Sequence, residues 1–143
     1  MPDQPREPAA FEASVSLSAT RPSRPLADPV LKFDFEAEAA RLRREGPWLQ
    51  HGRNAVTLVK HPDLRVVFML MKAGTCMQQH QTTGRISVHT LSGHVRLHLE
   101  GRIEDLPAGQ LLALEHDIPH DVEAVDESAV LLTIAWPGDA AGR

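Results

Sequence analysis

From Asn54 onward, apolar residues fall at every second position or in short apolar bursts, and Gly, Pro, Asp or Asn closes nearly every burst. That period of two predicts strands at Ala55 to Lys60, Leu64 to Lys72, Ile86 to Leu91, Val95 to Leu99, Gln110 to Leu114, Asp121 to Val125 and Ala129 to Trp136. The breaks are His61-Pro62-Asp63, Ser92-Gly93, Glu100-Gly101, Pro107-Ala108-Gly109 and Asp126-Glu127-Ser128. Short strands with turn signals at this density predict an all-β sandwich or barrel. Ahead of them the pattern turns helical. Asp34 stands as an N-cap, Glu36 and Glu38 occupy a first turn, Arg41, Arg43 and Arg44 lie late, and Gly46-Pro47 ends the segment. A short helix is expected from Phe35 to Glu45, with a narrow stripe of Phe35, Ala39 and Leu42 packing on something larger. Residues 1–29 hold six of the eleven prolines and offer little to bury, so a flexible arm is expected there unless a partner holds it. The expected organisation is arm 1–29, helix and connection 30–53, barrel 54–137 and tail 138–143.

Composition changes this picture little. With 143 residues and 42% hydrophobic content, the chain can build one core. A net charge of −4, no basic block and six aromatics give no electrostatic footprint for nucleic acid. The single cysteine, Cys76, excludes an intramolecular disulfide. Asp3, Glu7 and Glu12 stand where a secretory signal would need apolar residues, and the longest apolar run, Val66 to Met71, is too short for a bilayer. The expectation is a soluble cytoplasmic protein with no nucleic-acid or membrane partner. There is no Gly-rich phosphate loop, no Gly-x-Ser-x-Gly elbow and no Cys-x-x-Cys pair, so nucleotide binding, serine hydrolysis and structural zinc lack support.

The chemistry concentrates between Gly74 and Ala124. Gly74 is followed at fixed intervals by His80, Thr82, Ile86 and Gly93, and Gly109 by Glu115, Asp117, His120 and Ala124. This spacing resembles the two motifs of the cupin superfamily, Gly-x5-His-x-His-x3-Glu-x6-Gly and Gly-x5-Pro-x-Gly-x2-His-x3-Asn. The fifteen residues between Gly93 and Gly109 suit the short inter-motif loop of small bacterial cupins. The resemblance implies a single jelly-roll-like cupin barrel of the cupin 2 conserved-barrel type. In that family two histidines and the glutamate of the first motif and the histidine of the second hold a divalent metal. Carried over by position, His80 and His120 are kept, Thr82 replaces the second histidine and Ile86 replaces the glutamate.

On a strand, alternation puts Gln78, Thr82 and Cys76 on the same face as His80, with His120 joining from the second motif, as in related proteins. The expected pocket is therefore Gln78, His80, Thr82, Ile86 and His120. As a metal site this set is poor, because a first-row divalent ion wants three or more N, O or S ligands and Ile86 supplies none. Other candidates each have a plainer reading. His116, Asp117 and His120 can form a ligand cluster or a base with its orienting carboxylate, but a solvated polar turn is the simpler account. His89 is expected on the surface or at an interface. His94 and His98 share one strand face with Arg96, yet about 13 Å of strand separates them, too far for one ion. Cys76 reads as a small buried hydrophobe, and Met69, Met71 and Met77 with Phe68 as core or a pocket wall.

The expected function is binding of a small molecule in the barrel without catalysis, and no catalytic residue is assigned. Two alternatives stay open. One is a metal-dependent enzyme of dioxygenase or isomerase type carrying Zn, Ni, Fe or Mn on His80 and His120. The other is a structural or interaction protein with an empty barrel. A homodimer is expected, since a sandwich must protect its edge strands and the arm suits exchange with a neighbour.

Overall fold

The computed structural model describes residues 21, 23–80 and 82–137 of the chain. Two helices precede nine strands among these residues: α1 Phe35–Leu42, α2 Gly46–His51, β1 Arg53–His61, β2 Leu64–Met71, β3 Cys76–His80, β4 Arg85–Ser92, β5 His94–Leu99, β6 Arg102–Pro107, β7 Leu111–Leu114, β8 His120–Ala124 and β9 Ser128–Ala135. The strands form a five-stranded sheet, β1-β2-β9-β4-β7, and a four-stranded sheet, β3-β8-β5-β6, with antiparallel pairing throughout. No described helix is long and apolar enough to cross a membrane.

The period of two accounts for the layer between the sheets. Ile86, Val88 and Thr90 of β4, Val95 and Leu97 of β5, and Val130, Leu132 and Ile134 of β9 are buried, while the residues between them reach solvent at least partly. Met69, Met71 and Met77 join this inner core. Phe68 does not. It lies on the opposite face of β2, in a second core with Leu42, Trp48, Val56, Leu58 and Leu70. The apolar run Val66 to Met71 is thus buried on both faces, because the helices cover the outer side of β2.

Two strands lie outside those expected. β6 is rich in charge and β3 carries two glutamines, and both are edges of the four-stranded sheet, where one flank of the strand faces water and tolerates polar residues. The helix also differs from expectation. Asp34 does cap α1, its carboxylate accepting from the Glu36 and Ala37 amides at 3.0 and 3.3 Å. Gly46-Pro47, expected to end one helix, instead opens a second. Proline costs nothing in a first turn, whose N–H groups have no helical partner. Leu42 and Trp48 anchor the pair on the sheet, and Phe35 stacks on Phe68 with ring centroids 5.2 Å apart.

The end of the expected flexible arm is tied to its own chain. Arg21 pairs with Glu45 at 2.6 Å and donates to the Ala55 carbonyl, Arg24 pairs with Glu38 at 2.8 Å, and the Leu26 carbonyl accepts the Lys60 N–H at 2.8 Å. Residues 1–20 and 22 lie outside the described residues. Glu38 is the buried hub, since Arg41 also donates to it at 2.6 Å. Replacing Glu38 with alanine strands two partly buried guanidinium groups, and a loss of about 2–4 kcal/mol is expected. Urea denaturation checks this, with Glu38→Gln expected to lose less because it keeps one acceptor.

Candidate functional site

The expected pocket is set by how β3 meets β8. Cys76 pairs with Glu123 and Met77 with Val122, but His80 pairs with His120, so β3 holds one extra residue between Met77 and His80. An inserted residue resets which face the residues on either side of it take. Met77 is accordingly buried in the inner core, while Cys76 and Gln78 are exposed. This corrects two expectations: Gln78 does not line the interior, and Cys76 is not a buried hydrophobe. Burial of its sulfur region, then the carboxylates of Asp121 and Glu123, push the Cys76 thiol up from its usual range. The thiol is therefore a poor nucleophile despite its exposure. The backbone of His80 stands opposite His120, and its side chain lies outside the described residues.

Thr82, Ile86 and His120 are all buried, at 5, 3 and 1% exposure. The Thr82 hydroxyl accepts the Gly84 N–H at 3.3 Å, and its carbonyl accepts the Asp117 N–H at 2.8 Å, which ties the two motifs together. Ile86 sits in the inner core opposite Ile134 on one side and Leu114 on the other. His120 Nδ1 is 2.9 Å from the Ile118 carbonyl, which can only accept, so Nδ1 is the donor of that bond.

The remaining candidates separate. His116 meets Asp117 at 3.2 Å on the exposed turn, while Glu115 turns to Arg85 at 3.0 Å, so no cluster with His120 forms. His94 and His98 lie on the outer face of the four-stranded sheet and face different carboxylates, Asp105 at 3.0 Å and Glu123 at 2.8 Å. Hydrogen bonds from Arg96, then His94, hold the Asp105 carboxyl below its usual range. His89 is half-buried on the outer side of β4. Among the described residues no three His, Cys, Asp or Glu side chains converge as a metal ion requires. Of the motif positions that hold the metal in the family, one carries a hydroxyl already engaged by Gly84 and another a hydrocarbon, so the described residues do not fit the family's metal.

Sequence reasoning missed Gly84 and Trp136. A Cβ on Gly84 would come within 2.8 Å of the Ala135 carbonyl, and the Trp136 indole N–H donates to Thr83 Oγ1 at 3.2 Å. Both contacts lie beside the segment that carries Thr82 and Ile86. A lone glycine beside a strand start was the available signal.

The AraC-like ligand binding domain matches residues 77–143 of this sequence. The fold matches that of a cupin superfamily protein from Desulfitobacterium hafniense, at 12% identity and a TM-score of 0.58 over 59% of this chain and 78% of the other. The fold is that of a cupin barrel. Among other cupin-like folds, a conserved protein of unknown function from Streptococcus pyogenes is 26% identical, with a TM-score of 0.59 over 62% of this chain and 78% of that one. Salicylate 1,2-dioxygenase from Pseudaminobacter salicylatoxidans superposes with a TM-score of 0.68 at 16% identity, over 79% of this chain and 37% of the dioxygenase. At that identity the likeness is one of fold, and one fold hosts many chemistries. Among curated proteins no sequence match is found.

Proposed function

We propose that this protein, a member of the cupin family by its motif spacing and fold, binds a small, largely apolar molecule at the Thr82 end of its barrel and does not convert it. The observation that carries this reading is the replacement of metal-type ligands by buried Thr82 and Ile86, one engaged within the chain and the other part of the core. Their surroundings include Leu114 and Ile134, so a ligand there meets mostly hydrocarbon. The buried His120 ring brings a polar group into this lining, and the backbone of His80 stands opposite it in register. Such a lining selects an apolar body with one polar group. The match to the AraC-like ligand binding domain supports the same class of function.

Elemental analysis of protein purified without chelator tests the reading, and metal content well below one ion per chain is expected. A bound molecule present at a hundred times its Kd adds about 2.7 kcal/mol to stability, so a thermal-shift screen of small aromatic and aliphatic acids and alcohols should find compounds whose effect His120→Ala abolishes. One equivalent of metal that His120→Ala removes would instead favour the metal-enzyme alternative.

A further inference from the structure

A cation stands on the inner face of the five-stranded sheet. Val67, Met69 and Met71 of β2 lie in the inner core, and the period of two puts Arg65, two residues before Val67, on the same face. Register fixes its neighbours. Arg65 stands opposite Ile134 of β9, Ile134 opposite Ile86 of β4, and Ile86 opposite Leu114 of β7. Arg65 therefore belongs to the row that carries Ile86, two strands and about 10 Å away at about 4.8 Å per strand.

An arginine partly buried in such a row costs free energy unless its charge is met. The Arg65 guanidinium carbon lies 5.6 Å from the Trp136 ring centroid, and the Trp136 indole donates to Thr83, the neighbour of Thr82. That stack uses the face of the guanidinium, whose five N–H donors lie in its plane. On the other flank, Arg65 is paired in register with Lys60. Two cations side by side raise the local positive potential, and an anion beside them lowers it. The fork of an arginine matches a carboxylate in two parallel hydrogen bonds. Next to Ile134, Ile86 and Leu114, a singly charged head on a hydrocarbon body is also the anion least costly to desolvate.

We propose that Arg65 determines the specificity of the ligand site: the molecule is a small monocarboxylic acid, its carboxylate on Arg65 and its body across Ile134 toward Ile86 and Leu114. This rests on the small-molecule reading above and names the polar group of that ligand. Straight-chain and phenyl-substituted monocarboxylates, each paired with the alcohol of the same carbon skeleton, are titrated calorimetrically into the full chain at neutral pH. At least one acid is expected to bind roughly ten- to hundredfold more tightly than its alcohol, as a charge-assisted pair implies. Arg65→Met keeps a hydrocarbon stem against Trp136 and removes the donors, so it should bring the acid down to the level of its alcohol. Arg65→Lys keeps the charge without the fork and should fall between. Alcohols that match their acids on the wild type, or an acid that binds Arg65→Met undiminished, overturn the carboxylate assignment and leave the small-molecule reading standing. A loss shared equally by acid and alcohol in Arg65→Met makes the arginine structural and overturns it too. Failure of every acid and alcohol to bind the wild type overturns both.

Discussion

Replacing Gly93 with alanine is expected to cost about 3–6 kcal/mol, whereas the same change at Gly109 should cost only about 1–2 kcal/mol. Both glycines begin or end a motif, and both have left-handed backbone, with φ of 83° and 88°. The backbone penalty is therefore shared, and surroundings separate the two. A Cβ on Gly109 meets nothing within 4 Å, while one on Gly93 would overlap the Glu127 carbonyl oxygen and come within 2.5 Å of Ser128 Oγ. Ser128 is buried, and its hydroxyl accepts the His94 N–H at 2.9 Å and donates to the Asp126 carbonyl at 2.7 Å. Pushing it aside breaks the corner at which the chain passes from the five-stranded sheet to the four-stranded one. Chemical denaturation of the two variants checks the difference. Equal losses would mean that backbone strain alone makes Gly93 necessary and that the close approach is relieved cheaply.

Restoring the family ligands through Thr82→His and Ile86→Glu is expected to make stability depend on metal. Without metal, the glutamate places a carboxylate where a 3% exposed isoleucine packs in the inner core, and a loss of several kcal/mol follows. With Zn, Ni or Mn, the new imidazole and carboxylate join His120 and, at family spacing, His80, giving enough ligands for a first-row ion. Saturating metal should then raise the melting temperature of the double variant by roughly 10 °C or more and leave the wild type unmoved. Calorimetric titration should give one ion per chain. A variant that folds but ignores every divalent ion would show that the first motif is misaligned at His80.

Much of the barrel was legible because burial on one face imposes a period of two, which β4, β5 and β9 display plainly. The same rule placed His94, Arg96 and His98 on the outer face of β5. β3 and β6 escaped it because an edge strand is not required to be apolar. Gln78 was misplaced by the same rule carried across an extra residue, an insertion that leaves no mark in composition. Tethering of the segment from Arg21 was invisible for a different reason. Its partners Glu45, Glu38 and Ala55 are distant in sequence, and nothing local says which arginine meets which carboxylate.

The sequence by itself determined the β class, the motif spacing and the presence of Thr82 and Ile86 at spacings where the cupin motif has metal ligands, since side-chain chemistry and local period are properties of the chain. Only the tertiary structure decided which residues face the interior around β3, which carboxylates face His94 and His98, and that β7 is an edge strand among the described residues. Those depend on strand register and sheet order, which are fixed by packing between segments far apart in the chain.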